Sequence, residues 1–249
     1  MNPVISEIYE TADHALLQSA ISPAEGELID RAISENDVTS SVEIGCADGL
    51  SSLFICDALS RRPNPRHIII DPYQTEHYGS RGVANLKRAG FDFFELIEKP
   101  SELALPTLLQ TGTEFDFALI DGFHTFDHTM LDFFYLNRML RVGGLIAIDD
   151  VNMASVHKVV RYIFNYPCYR LYAAANVRGR QRRMLNRYKM LLGKCLRPLT
   201  WVMGENLSHE LFDASLVRSD LIAAIDYSTM VIFEKIEADA RSSLWYEHF

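Results

Sequence analysis

The 249-residue chain predicts an α/β fold: an open, doubly wound, mostly parallel seven-stranded sheet with helices on both faces. Two observations carry the prediction. Short apolar runs alternate with stretches of helical periodicity through the first two-thirds of the chain. The runs are almost continuously apolar, as strands are when both faces of a parallel sheet are covered.

Taken in order, residues 4 to 35 read as helical. "SEIYETADHALLQSA" has helical periodicity, and in "SPAEGELIDRAIS" Ser22 stands as a cap with Pro23 in the first helical position. "SSVEIG" is the first strand, and "LSSLFICDALS" is a helix with apolar residues at helical spacing. "RHIIID" is the second strand, closed by "DPY", and "GVANLKRAG" is a helix that ends at Gly90. "FDFFELIEK" is the third strand, and "ELALPTLLQTG" is a short helix interrupted by Pro106. "FDFALID" is the fourth strand, a helix covers 125 to 140, and "VGGLIAIDD" is the fifth strand. A helix near 155 to 165, the strand "CYRLYAAA" and the final strand "STMVIFEKI" complete the sheet. There is no internal repeat or low-complexity tract. One domain over 1–249 is the simpler organisation, with N-terminal helices over 1–38 and a basic helical insertion over 177–206.

Composition excludes several classes. The hydrophobic share of 48% supports a globular core, yet the longest apolar runs, such as "GLIAI", are far shorter than a membrane span. "MNPVISEIYE" has no basic n-region and no apolar h-region, so no signal peptide is expected. The four cysteines form no C-x-x-C pair, which argues against a zinc site or disulfide framework and fits a cytoplasmic location. Net charge is −9, and the basic residues cluster: eight Lys/Arg and no Asp/Glu lie in 178–204. The acidic remainder excludes general nucleic-acid binding. The basic stretch reads either as a solvated helix or as a lid, an acidic-substrate surface or a weak membrane contact.

Chemistry concentrates at strand ends. Glu43, Asp71, Asp121 and the pair Asp149–Asp150 close or flank four of the first five strands. Ligands of open parallel sheets bind beyond those carboxyl ends. Gly45 and Gly49 allow a turn that brings backbone close to a ligand at the next helix. Their pattern, E-x-G-x-x-x-G, differs from the G-x-G-x-x-G of nicotinamide-cofactor sites, and an acid before the glycines favours a cationic or amine-bearing ligand. Asp71, 22 residues beyond Gly49, stands where a carboxylate accepts ribose hydroxyls.

With these residues in place the chain resembles the class I S-adenosylmethionine-dependent methyltransferases, whose fold is Rossmann-like. "VEIGCADG" resembles their first motif, and "IIIDPY" supplies the ribose acid. "EKPSEL" follows the third strand, where the family contacts adenine, which makes Ser101 a neighbour of the base. "ISPAEGELI", "LIDGFH" and "AIDDVN" narrow the resemblance. They are similar to parts of cation-dependent O-methyltransferases of the catechol and caffeoyl-CoA type, and of I-D-G-x-H relatives in sugar and antibiotic biosynthesis. The resemblance implies that Glu43, Gly45, Gly49, Asp71, Ser101 and Asp121 bind S-adenosylmethionine. It also implies that Asp121, Asp149 and Asp150 hold a divalent cation, with oxygen donors that suit Mg2+.

The catechol-type enzymes carry a catalytic lysine where this chain has His124. A histidine serves there as general base, as metal ligand or as hydrogen-bond partner, and base is the preferred role. His128, four residues on, reads as a helix-surface residue ahead of a second metal-binding histidine. Asp121 and His124 are thus the expected catalytic residues. The expected function is metal-assisted O-methylation of a small-molecule hydroxyl, on a sugar or secondary metabolite. A metal-independent methyltransferase, a nucleotide-binding oxidoreductase and a non-catalytic cofactor-binding protein are the competing readings. A small-molecule acceptor is the expected partner; a second copy of the chain is left open.

Overall fold

The computed structural model describes residues 2–11, 20–176 and 228–247, with isolated positions between 191 and 225. The first helix, α1, runs Pro3–Thr11. The rest of the expected N-terminal helix, over 12–19, lies outside the described residues. So does the basic stretch 177–206, with the lid reading attached to it, apart from isolated positions.

After α1 come α2 (Pro23–Ser34), β1 (Ser40–Ile44), α3 (Leu50–Leu59), β2 (Arg66–Ile70), α4 (Arg81–Arg88) and β3 (Phe94–Ile97). The second part holds α5 (Ser101–Gln110), β4 (Phe115–Ile120), α6 (Phe126–Met139), β5 (Leu140–Ile148), α7 (Ala154–Ile163), β6 (Tyr169–Asn176) and β7 (Ser228–Lys235). The seven strands form one sheet in the order β3-β2-β1-β4-β5-β7-β6. β1 to β5 pair in parallel, whereas β7 is antiparallel to both of its neighbours. The sheet is therefore mostly parallel, with an antiparallel pair at one edge.

Two hydrophobic clusters cover its faces. One packs α1 to α4 against the sheet through Ile29, Ile33, Leu53, Ile55 and Leu86. The other packs α5 to α7 through Leu105, Phe133, Leu136, Val159 and Ile163. Burying each such side chain stabilises the fold by about 1.5–3 kcal/mol relative to exposure. Among the described residues no helix is long and apolar enough to cross a membrane.

Two local expectations are corrected. Pro106 does not interrupt α5, which continues through it to Gln110. The helix bond that proline removes falls on Glu102, an exposed residue of the first turn, where the loss is least costly. The third strand is shorter than its apolar run: β3 is an edge strand, paired with β2 alone over four positions.

The chain runs outward from β1 to β2 and β3, then returns to place β4 on the other side of β1. A crevice opens at that reversal. Backbone bonds carry the ladder one step beyond the strands: Gly45 N–H donates to Ile70, Asp121 N–H to Ile44, and Asp149 N–H to Ile120. This fixes where the strand-end acids stand.

Candidate active site

A cavity of about 910 Å3 lies over the carboxyl ends of the strands. The glycine turn forms one wall. Gly45 has φ +88°, and a Cβ there would stand 2.0 Å from the Asp121 carbonyl oxygen. Only glycine lets the ends of β1 and β4 approach so closely. Gly49, at φ +85°, caps α3 and does not line the cavity; it makes room for Gly82 of α4.

Asp71 lines the cavity and ties two loops together. Its Oδ2 accepts N–H groups from Cys46 at 3.1 Å and Ala47 at 3.0 Å, and the Gln74 amide at 3.1 Å. Its Oδ1 accepts from the Tyr73 N–H at 2.8 Å, which leaves a lone pair for a ligand. Ser101, the first residue of α5, lines the far end with Pro100 and Phe123.

Glu43 is a correction. It is fully buried and absent from the cavity wall. Side chains alternate along β1, so Val42 and Ile44 face the α5–α7 cluster while Glu43 faces α3. There it accepts the Ser52 hydroxyl, and His67 Nε2 lies 3.3 Å from its Oε2. His67 Nδ1 in turn meets the Ser41 hydroxyl at 2.8 Å. Glu43 supports the turn from beneath.

The opposite wall gathers acids. Asp121, His124 and Asp150 each offer a donor atom within 4.8 Å of the others. His124 Nε2 lies 3.2 Å from Asp150 Oδ2, and the His124 carbonyl accepts the Ser155 hydroxyl, which fixes the loop before α6. Asp150 takes the left-handed conformation, φ +53°, unusual for a residue with a Cβ. Of the expected trio, Asp121 and Asp150 belong to this cluster, His124 joins them, and Asp149 lies beside it as the acid whose charge raises the Asp121 carboxyl most. Asp149 spends Oδ1 on the Asp150 N–H at 2.8 Å and feels Glu25 more strongly than it feels Asp150.

Burial pushes the Asp121 carboxyl well above the usual range, and Asp149 and Asp150 push it further. Asp149 is raised by burial and then by Glu25. His128 stays outside this group, with Nδ1 against the Thr125 hydroxyl at 2.8 Å.

Sequence reasoning missed Glu25. It closes a capping box, accepting the Ser22 N–H at 2.6 Å, while its other oxygen accepts the Thr229 hydroxyl from β7. A glutamate three residues after a capping serine was the available signal. Asp132, beneath the Ser101 end, was also missed; one polar residue inside a helical run carries no such signal.

Residues 42–151 match the family model of a methyltransferase domain. No curated protein matches the chain. Solved structures share the fold. The O-methyltransferase of Bacillus cereus, in complex with S-adenosylhomocysteine, is 19% identical over 71% of this chain and 86% of that one, with a TM-score of 0.60. The O-methyltransferase TomG of Streptomyces achromogenes, involved in tomaymycin synthesis and solved with S-adenosylmethionine, is 20% identical over 69% and 90%, at 0.52. The S-adenosylhomocysteine-bound methyltransferase PaMTH1 of Podospora anserina is 17% identical over 69% and 82%, at 0.58.

Proposed function

We propose that this chain, whose residues 42–151 carry a methyltransferase domain of the class I kind, transfers the methyl group of S-adenosylmethionine to a hydroxyl of a small molecule, a sugar or secondary metabolite. One observation carries the reading: Asp121, His124 and Asp150 meet on the wall of a cavity whose other wall is the glycine turn. The cavity has room for a cofactor with a small acceptor beside it. Its acidic lining suits a sulfonium cation. The Gly45 turn and Asp71 hold the methionine and ribose parts, and Ser101 stands at the base. Glu43 and Gly49 serve cofactor binding by shaping the turn.

In the transfer, the acceptor oxygen attacks the methyl carbon while the carbon–sulfur bond breaks and its electron pair returns to sulfur. The hydroxyl proton passes to His124 Nδ1, while Nε2 faces Asp150 Oδ2 at 3.2 Å and that carboxylate stabilises the imidazolium. The walls hold the reacting atoms in line, and much of the rate comes from that positioning.

The convergent side chains also fit a divalent cation. Two are carboxylates, all three donors lie within 4.8 Å, and the Asp121 carboxyl is raised first by burial and then by neighbouring acids, whose repulsion a cation relieves. An imidazole among the donors suits a first-row transition ion such as Mn2+ alongside Mg2+. When bound, such an ion supplies a Lewis acid that lowers the pKa of the acceptor hydroxyl. On this second reading Asp121, His124 and Asp150 are ligands, and Asp149, whose raised carboxyl lines the cavity, takes the proton.

His124→Ala separates the two readings. Turnover of S-adenosylmethionine is measured against a panel of sugar and phenolic hydroxyls, alongside melting temperature in a Mn2+ titration. Loss of turnover by about 10²–10⁴-fold with the Mn2+ response retained makes His124 the base. Loss of the Mn2+ response makes it a ligand. A variant with wild-type turnover removes both roles.

A further inference from the structure

Six acids line the cavity, and among the described residues of its wall there is no Lys or Arg. Asp71 faces the ribose, Asp121 and Asp150 meet at His124, and Glu102 stands exposed beside Ser101. Glu25 and Asp149 remain, 5% and 8% exposed. Buried carboxylates with no counter-charge are costly, so the pair calls for a ligand.

Both acids belong to one patch, where the start of α2 meets the start of β7 and the end of β5. The Thr229 hydroxyl donates to Glu25 Oε1, and the Thr229 carbonyl accepts the Val151 N–H, so β7 ties Glu25 to the segment that carries Asp149. The antiparallel β5–β7 ladder ends at Ile148 and Val231, one residue short of Asp149 and two short of Thr229. Glu25 Oε2 accepts the Ser22 N–H at 2.6 Å. Asp149 Oδ1 accepts the Asp150 N–H at 2.8 Å, which leaves Oδ2 open to the cavity. Thr229 lines the cavity with them.

We infer that Glu25, Asp149 and Thr229 bind an ammonium group of the acceptor, so that the molecule methylated is a hydroxyl compound that also bears an amine, such as an amino sugar; the inference rests on the methyl-transfer reading of the cavity. An ammonium has three N–H donors and no acceptor. The patch offers acceptors to match: the second lone pair of a Glu25 oxygen, Asp149 Oδ2, and the Thr229 oxygen, whose hydrogen is spent on Glu25. Hydrogen bonds from a cation to carboxylates are the strong kind. With His124 taking the proton, Asp149 is free for this contact. A carboxylate or phosphate in the same place would meet only acceptors and acids, and would be rejected.

Calorimetric titration of the S-adenosylhomocysteine-loaded protein with matched acceptors tests this. Glucosamine, glucose and glucuronate form one set; tyramine, 4-hydroxyphenylethanol and 4-hydroxyphenylacetate form the other. On at least one framework the amine is expected to bind about tenfold or more tighter than its neutral partner, with the carboxylate weakest. Glu25→Gln should cut that preference to about threefold or less and leave S-adenosylhomocysteine affinity within about twofold of the wild type. Because Glu25 also closes a helix cap, Thr229→Val is the second variant: it suits the strand, removes one acceptor and should shrink the same preference. A merely structural Glu25 would lower all affinities alike and leave their ratio unchanged. An amine that binds no better than its neutral partner on both frameworks overturns the inference, as does a wild-type ratio in either folded variant. Loss of S-adenosylhomocysteine affinity by tenfold in Glu25→Gln would assign the patch to the cofactor's own ammonium, and overturns it too. No binding of S-adenosylhomocysteine by the wild type refutes the methyl-transfer reading itself.

Discussion

Glu43 and Asp121 read alike in sequence: each is an acid near the end of an apolar run, within two residues of a glycine. In the structure they do opposite things. Glu43 is inside β1, and alternation turns it toward α3, where Ser52 and His67 surround it. Asp121 is one residue past β4, where the chain leaves the ladder and the side chain meets other acids over the crevice. Position relative to the last paired residue decides which acid supports the site and which is part of it.

The largest expected effect is at the contact that brings the two strand ends together. Gly45→Ala forces a Cβ against the Asp121 carbonyl and strains a left-handed backbone. It should cost about 2–5 kcal/mol of stability, from backbone strain and overpacking together. Chemical denaturation checks this; a loss below about 1 kcal/mol would mean that the turn relaxes, and the two strand ends would not be rigidly coupled.

Asp132 is a third kind of acid, buried with one carboxylate oxygen lacking a hydrogen-bond partner, and it sharpens the comparison. Its carboxyl is held at about 6 against an ordinary value of 3.8. The native state therefore keeps a proton that the unfolded chain has lost, and this contribution to stability falls as pH rises from about 4 through about 6. Asp132→Asn should remove the penalty, raising stability at pH 8 by about 1–3 kcal/mol with little change near pH 4. Denaturant midpoints at the two pH values give the answer. Equal shifts at both would mean that the effect is packing, not charge.

Much of this was legible in sequence. The strand–helix alternation located all seven strands, and the acids after β2, β4 and β5 do line one cavity with Gly45 and Ser101. What was not legible depends on side-chain direction. Reading Glu43 as a cavity residue ignored the parity of β1. That the left-handed Asp150 meets His124, and that Asp149 carries the Asp150 N–H on its Oδ1, depends on backbone conformation that no residue pattern spells out. Gly49 looked like a ligand contact and proved to be where α3 and α4 pack closely. Glu25 carries a local capping signal, but its reach to Thr229 of β7 spans most of the chain, and nothing local marks Asp132, buried in α6, as a polar neighbour of the site.

The central claim is that the crevice between β1 and β4 is an S-adenosylmethionine site with Glu43 outside it. Titration of S-adenosylhomocysteine into the wild type, Glu43→Gln and Gly45→Ala by calorimetry tests it most directly. The wild type is expected to bind at micromolar affinity or better, and Gly45→Ala to lose at least tenfold. Glu43→Gln should stay within about twofold of the wild type while its melting temperature falls, because His67 and Ser52 lose a charged partner. No binding by the wild type would contradict the account, as would Glu43→Gln losing affinity at an unchanged melting temperature.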